Sequence, residues 1–356
     1  MLHAKISGIG YYVPEKVVTN NDLEKVMDTT DEWIQERTGI QERRYGKKHL
    51  ETTTTMGAQA AKIAIERAGI TKDEVDFIIF ATLSPDYYFP GCGVLVQREL
   101  GITHNEAGAL DIRNQCSGFV YGLSIADQFI RSGMYKNVLL IGAEMHSMGL
   151  DFSTRGRNVT VIFGDGAGAV LLQPTENPNE GVLTTKLHAD GTFAEKLAFE
   201  NPGAHGGYHL DKKGEAHDLQ YSDAVYGEMF INEHMIQSGQ IFPVMDGQFV
   251  FKLAVQKFPE VIMEALATAN LTPADIDMLI PHQANLRISQ FVQKKLGLRD
   301  DQVWNNIQRY GNTTAASIPI ALCEAFEAGA VKPGDLVCLA AFGSGFTWGS
   351  ALLRWS

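Results

Sequence analysis

"FGDGAGAVLL" (Phe163 to Leu172) and "FGSGFTWGSALL" (Phe342 to Leu353) read as one device used twice. Each opens on an FGxG turn, expected to be tight, and runs into an apolar strand. Just upstream, "GMYKNVLLIGAE" (Gly133 to Glu144) and "GAVKPGDLVCLAAFG" (Gly329 to Gly343) are again a turn followed by a buried strand. Further back, "IAIERAGITKDEVDFIIFAT" (Ile63 to Thr82) echoes "VIMEALATANLTPADIDMLIPHQAN" (Val261 to Asn285). Both are an amphipathic helix, a Thr-led acidic turn, an Asp and a short apolar strand. The Thr in each can cap a further helical turn. Helices alternating with continuously apolar strands predict buried sheets with helices on their faces.

These echoes predict a duplicated α/β chain, with one half over 1–175 and the other over 176–356. The division falls at "QPTENPNEG", which supplies turn and linker chemistry. One stretch, Phe199 to Ile241, has no counterpart in the first half. It is polar and Gly-rich at its start and reads as an excursion, with a short helix around Tyr226 to Met235.

At 356 residues, 45% hydrophobic and 20% charged, the chain can bury a substantial core. No apolar run is long enough to span a bilayer, and "MLHAKISGIGYYVP" is broken early by Gly and Pro, so neither a leader nor a membrane is expected. The four cysteines (Cys92, Cys116, Cys323, Cys338) form no CxxC pair and predict reduced thiols, hence a cytoplasmic location. A net charge of −12 argues against nucleic acid. The basic clusters Arg37/Arg43/Arg44/Lys47/Lys48 and Arg287/Lys294/Lys295 read first as solvated faces. An acidic protein or a phosphorylated ligand would also suit them.

Three residues stand where chemistry gathers. Cys116, in "DIRNQCSGF", ends an extended run and begins a helix whose Phe119, Leu123, Ala126 and Ile130 share one face. A helix start favours negative charge and is expected to lower a thiol pKa. By position alone, Cys116 reads first as a small buried side chain. His282, in "PHQANLRI", follows an apolar strand, at the strand end where α/β sheets collect ligands. Asn312, in "YGNTTAASIP", reads alone as a cap or turn residue.

Taken together, the Cys at a helix start, "PHQAN" and "YGNT" resemble the active-site signatures of the thiolase superfamily's initiating condensing enzymes. The chain closely resembles the β-ketoacyl-acyl-carrier-protein synthase III family, from "ISGIGYYVPEKVVTNNDL" through "TTDEWIQERTGI", "RGRNVTVIFGDGAGAVLL" and "LHADG" to "FGSGFTWGSALLRWS". The resemblance implies a thiolase fold, with two αβ halves packed into a five-layered αβαβα core. It implies an acyltransferase that joins an acyl-CoA primer to malonyl-acyl carrier protein with loss of carbon dioxide, initiating fatty-acid synthesis. Cys116 would carry the acyl group, and the backbone N–H groups of Cys116 and Ser344 would form the oxyanion hole. His282 and Asn312 would donate to the malonyl thioester as it becomes an enolate.

The resemblance also implies that Trp33 and Arg37, with Arg155 nearby, hold the adenine of CoA, and that Asn285 touches the pantetheine arm. Arg287 would dock the acidic carrier protein. Phe89 would cap a neighbour's acyl tunnel, so a homodimer is implied. No cofactor and no metal are implied, although His205, His209, His217 and His234 fall in the excursion. Two departures from the family pattern stand out: the excursion itself, read as a possible lid, and the large polar Arg113, Asn114 and Gln115 before the nucleophile. A related condensing enzyme, or a Cys-dependent acyltransferase of specialised metabolism with a different acyl acceptor, is the alternative reading.

Overall fold

The computed structural model describes residues 2–104, 106–203, 231 and 233–356. In chain order its strands are β1 (His3–Tyr12), β2 (Val17–Thr19), β3 (Glu42–Arg44), β4 (Phe77–Ala81), β5 (Gly108–Ile112), β6 (Val138–Glu144), β7 (Gly166–Thr175), β8 (Gly181–Ala189), β9 (Leu197–Ala198), β10 (Val244–Met245), β11 (Met278–Pro281), β12 (Leu336–Gly343) and β13 (Thr347–Arg354). The two main sheets run β1-β7-β6-β4-β5 and β11-β12-β13-β8.

In the first sheet β7 is antiparallel to β1 and to β6, and β4 is parallel to β6 and to β5. In the second, β13 is antiparallel to β8 and to β12, and β11 is parallel to β12. Thus β1-β7-β6-β4 and β8-β13-β12-β11 share one order and one set of directions. This is the repeat that the sequence echoes predict. Even β5 has a reduced counterpart, since Val303 makes a parallel bridge to Leu279 on β11.

Alternation along the strands builds the layers. Ile79 on β4 faces the central core, while its neighbours Ile78 and Phe80 face the outer one. The central core holds the helices Gly118–Arg131 and Ser317–Glu327 between the sheets, and Phe119, Leu123, Ala126 and Ile130 all point into it. The helix Thr53–Arg67 covers the outside of the first sheet. The helices Gly247–Thr268 and Leu286–Leu296 cover the outside of the second. The result is the five-layered thiolase fold. With both sheet faces covered, inner strands have no solvent side, which is why they read as unbroken apolar runs.

The Thr-led turns close as expected: Thr71 with Glu74 and Thr272 with Asp275 form reciprocal caps. The two FGxG motifs part company. "FGSG" makes a tight hairpin between β12 and β13, with Gly343 opposite Thr347. "FGDG" does not, because Met145 to Asp165 intervene between β6 and β7. Its Gly164 N–H instead donates to the Asn312 carbonyl (3.1 Å), and its Asp165 N–H to that of Arg44 (2.8 Å). The first-half motif therefore ties the halves together across the site.

Arg43 also departs from expectation. It is fully buried rather than on a solvated face, donating to the Val18 and Val161 carbonyls and to Asn20 Oδ1. These acceptors meet its two terminal nitrogens, while Nε is buried without a partner.

The excursion leaves and returns through an antiparallel pair, β9 with β10, and the helix Glu233–Ser238 lies within it. Residues 204–230 and 232 lie outside the described residues, and with them His205, His209, His217 and the start of the expected Tyr226–Met235 helix. No described helix is long and apolar enough to cross a membrane.

Candidate active site

β5 delivers Arg113 and Asn114 to a 3-10 turn, Gln115–Ser117, which leads directly into the helix Gly118–Arg131. Cys116 sits in that turn, 7% exposed. The polar residues before it have definite positions. Asn114 Nδ2 donates to Ser117 Oγ (3.2 Å), Ser117 Oγ donates back to the Asn114 carbonyl (2.9 Å), and Ser117 meets Thr347 Oγ1 at 2.7 Å. Gln115 takes φ +45°, a left-handed conformation that non-glycine residues seldom adopt. Asn114 and Gln115 thus build a braced, strained turn, and Ser117 fastens it to β13.

The expected lowering of the thiol pKa does not hold. Burial, then the charge of Glu144, push the Cys116 thiol up to about 12. The Cys116 and Ser344 N–H groups and the Thr314 hydroxyl pull the other way without prevailing. Desolvation wins because the sulfur is enclosed before the regular helix begins. Positive φ falls on Gly345 (+133°) and not on Ser344, so a Cβ at 344 is tolerated, and the Ser344 hydroxyl donates to the Leu197 carbonyl. Gly343 is the residue that must stay small: a Cβ there would lie 2.5 Å from Cys116 Cβ and 3.0 Å from Sγ.

His282 follows β11, and its N–H donates to the Ala340 carbonyl (2.8 Å). Its Nδ1 lies 2.6 Å from Ser317 Oγ, at the start of the helix Ser317–Glu327. Ser317 Oγ accepts the Gln283 N–H (3.4 Å) and keeps a hydrogen that it can give to Nδ1. The imidazole hydrogen then belongs on Nε2, a buried atom with no partner. Burial pushes the ring's pKa down to about 3, so the resting imidazole is neutral. The motif's Gln283 is structural: Oε1 accepts the N–H groups of Asn306 and Ile307, and Nε2 donates to the Pro281 carbonyl.

Asn312 Oδ1 accepts the Thr314 N–H at 2.8 Å, which orients the amide and commits Nδ2 to donation elsewhere. The preceding loop hangs on Glu324, which accepts from Asn306 Nδ2 (2.8 Å), Arg309 (3.0 Å) and the Tyr310 hydroxyl (2.7 Å). Thr314, at φ +50°, reaches His146 Nε2 at 2.7 Å. Close by, Glu144 is fully buried and accepts from the Thr82 and Ser84 hydroxyls and the Leu83 and Ser84 N–H groups. Burial raises its carboxyl to about 7 against those donors.

On the entrance side, the Arg37 guanidinium lies 4.4 Å from the Trp33 ring centroid. The second cation there is Arg157, at 5.2 Å, not Arg155. Arg155 is engaged by Asp151 (2.6 Å) and lies over Phe242. Asn285 joins this region to His282: its Nδ2 donates to the Arg37 carbonyl (2.8 Å), and its Oδ1 caps the helix Leu286–Leu296 through the Arg287 N–H. Arg287, Lys294 and Lys295 are exposed on that helix. Phe89 is 81% exposed, beside exposed Tyr87 and Tyr88, and does not enter its own chain's site.

Sequence reasoning missed Arg157, Ser317, Thr314, His146 and Gly343. For His146 a signal existed, since "GAEMHS" places it just past an apolar strand, as "PHQAN" places His282. Among the described residues no group of three His, Cys, Asp or Glu could hold a metal ion.

The family model for 3-oxoacyl-[acyl-carrier-protein] synthase III matches residues 110–191, and the model for its C-terminal part matches 266–355. The β-ketoacyl-[acyl-carrier-protein] synthase III of Caldanaerobacter subterraneus subsp. tengcongensis is 43% identical, covering 99% of this chain and 98% of its own. The same-named protein of Escherichia coli strain K12 is 44% identical, covering 99% and 100%. The crystal structure of 3-oxoacyl-[acyl-carrier-protein] synthase III from Aquifex aeolicus VF5 superposes with a TM-score of 0.85 at 43% identity, covering 99% and 100%.

Proposed function

The chain belongs to the 3-oxoacyl-[acyl-carrier-protein] synthase III family of condensing acyltransferases, and from that premise we propose a decarboxylative condensation that initiates fatty-acid chains. An acyl-CoA primer and malonyl-acyl carrier protein are its substrates. Cys116 sulfur attacks the primer's thioester carbonyl, CoA leaves as its thiolate, and the acyl group stays on the enzyme. The Cys116 and Ser344 N–H groups stabilise the oxyanion as it forms.

In the second half-reaction, malonyl-acyl carrier protein loses carbon dioxide. His282 Nε2–H and Asn312 Nδ2–H donate to the thioester oxygen that becomes an enolate. The carbanion attacks the acyl-Cys116 carbonyl, and sulfur leaves with the β-ketoacyl thioester as product. One observation carries this reading: a buried, neutral His282 whose Nδ1 pairs with Ser317 while its Nε2 has no partner. Acyl transfer alone has less use for that donor. No cofactor takes part.

Trp33, Arg37 and Arg157 suit a flat phosphorylated nucleotide, through ring stacking and charge. The exposed Arg287, Lys294 and Lys295 suit an acidic carrier protein, which reconciles such a partner with a net charge of −12. A homodimer fits the edge strand β5 and the exposed Tyr87, Tyr88 and Phe89 next to it, and four free cysteines fit the cytoplasm. The test is release of carbon dioxide from malonyl-acyl carrier protein in the presence of acyl-CoA. Acyl-enzyme formation without that release would instead indicate an acyltransferase with another acceptor.

A further inference from the structure

We propose that Glu324 is a positioning residue for the condensation step, holding loop 306–311 so that Asn312 and His282 aim their hydrogens at one thioester oxygen. The purpose rests on the condensing-enzyme reading. The geometry rests on hydrogen bonds within the fold.

Glu324 sits in an apolar setting. From Ile318 to Ala325 the helix Ser317–Glu327 is wholly buried, and Glu324 is its one charged residue there, 8% exposed. Burying a carboxylate is costly unless donors replace its water. Three do: Asn306 Nδ2 (2.8 Å) and Arg309 (3.0 Å) donate to Oε2, and the Tyr310 hydroxyl (2.7 Å) donates to Oε1. All three come from the loop before Asn312. A carboxylate suits the task because it offers two acceptor oxygens and no hydrogen of its own.

The same helix reaches the other donor. Ser317 stands two turns before Glu324 on one face and meets His282 Nδ1 at 2.6 Å. Ile320, between them, belongs to one buried cluster with Tyr310. A single rigid face therefore touches the imidazole directly and the Asn312 loop through Glu324.

The ends of the loop are tied separately. Gln283, the neighbour of His282, accepts the N–H groups of Asn306 (3.0 Å) and Ile307 (3.2 Å). The Gly311 N–H donates to the Ile307 carbonyl (2.9 Å), and Gly311 turns the chain at φ +64° immediately before Asn312. The Asn312 N–H donates to the Ile162 carbonyl (2.8 Å), and its Oδ1 accepts from Thr314. Between these backbone ties, Glu324 gathers three side chains. Without it, three donors lose their acceptor and the loop can shift while its ends stay bonded. A displacement of about an ångström at Asn312 would slow condensation about 100-fold. Acylation of Cys116 uses neither Asn312 nor His282, so the loss falls on one half-reaction.

The test follows both half-reactions at saturating substrate: acyl-enzyme mass with acetyl-CoA, and carbon dioxide release from malonyl-acyl carrier protein by acylated enzyme. Glu324→Met, similar in length but without oxygens, is expected to release carbon dioxide about 100-fold more slowly while acylating Cys116 within a few-fold of the parent. Glu324→Gln keeps one oxygen for Asn306 and Arg309 and should stay within about tenfold of the parent in both. In an Asn312→Ala background, Glu324→Met should add less than about threefold, because both changes remove the same donor.

Parent-like carbon dioxide release in Glu324→Met overturns the proposal. So do equal losses in the two half-reactions, or a further loss of about 100-fold in the Asn312→Ala background. Should Glu324→Met fail to fold, Tyr310→Phe goes through the same cycle. It should lose about fivefold in carbon dioxide release alone, and no loss overturns the proposal. A parent enzyme that acylates yet releases no carbon dioxide overturns the condensing reading and the proposal with it. A parent that releases it beside an equally fast Glu324→Met variant overturns the proposal alone.

Discussion

Ser317 Oγ lies 2.6 Å from His282 Nδ1, and a hydrogen given by Ser317 to Nδ1 leaves Nε2 as the donor edge of the imidazole. Ser317→Ala should release the ring to adopt the other tautomer. Malonyl-dependent carbon dioxide release is expected to fall about 10- to 100-fold, while acylation of Cys116 proceeds at the parent rate. Separate assays of the two half-reactions check this. Equal losses in both would show that Ser317 supports the fold instead of the tautomer.

Gly343→Ala should abolish acylation. The new methyl would sit 2.5 Å from Cys116 Cβ, so the turn or the hairpin must move. Overpacking of this kind costs about 1–3 kcal/mol of stability. A shift of even about an ångström can reduce the rate 100-fold. Intact-mass detection of the acyl-enzyme, paired with a thermal melt, distinguishes the two effects.

Trp33→Ala and Arg157→Ala are each expected to raise KM for acyl-CoA about tenfold with little change in kcat, because they remove binding remote from the reacting carbonyl. Arg155→Ala should change KM no more than a few-fold, since Asp151 and Phe242 already engage that side chain. Steady-state kinetics on the three variants rank them.

Stability should depend on pH through three buried groups. Glu144, raised to about 7, favours its neutral form in the fold, so its contribution is full below about pH 4 and is lost as pH rises through 7. His146 and His282, lowered to about 3, also favour the neutral form. Their contribution is full above about pH 6.5 and is lost as pH falls toward 3. Glu144→Gln should therefore flatten the decline in melting temperature between pH 5 and 8 and leave the acid-side decline in place. An unchanged alkaline side would place that decline elsewhere.

Much of the fold was legible because the chain states it twice. The paired echoes predicted the matching sheets, and Phe119, Leu123, Ala126 and Ile130 all face the central core as their spacing required. What escaped depends on three-dimensional closeness. "FGDG" and "FGSG" look alike, but only the second is a hairpin, because the first half inserts Met145 to Asp165 before its strand. The same insertion carries Arg155 and Arg157, two residues apart, and only the fold selects the one that meets Trp33. A helix start suggested an acidified thiol, yet enclosure outweighs the dipole. Thr314 and Gly343 lie inside motifs whose neighbours drew attention, and their roles come from contacts across the two halves.

The central claim is that Cys116 accepts an acyl group and gives it up to a malonyl-derived carbanion. Peptide mapping by mass spectrometry after incubation with acetyl-CoA, before and after malonyl-acyl carrier protein is added, tests it most directly. An acetyl group is expected on the Cys116 peptide and none on Cys92, Cys323 or Cys338, discharged with one carbon dioxide per acetyl when the malonyl carrier arrives. An unacetylated Cys116, or an acetyl group that malonyl-acyl carrier protein leaves in place, would contradict it.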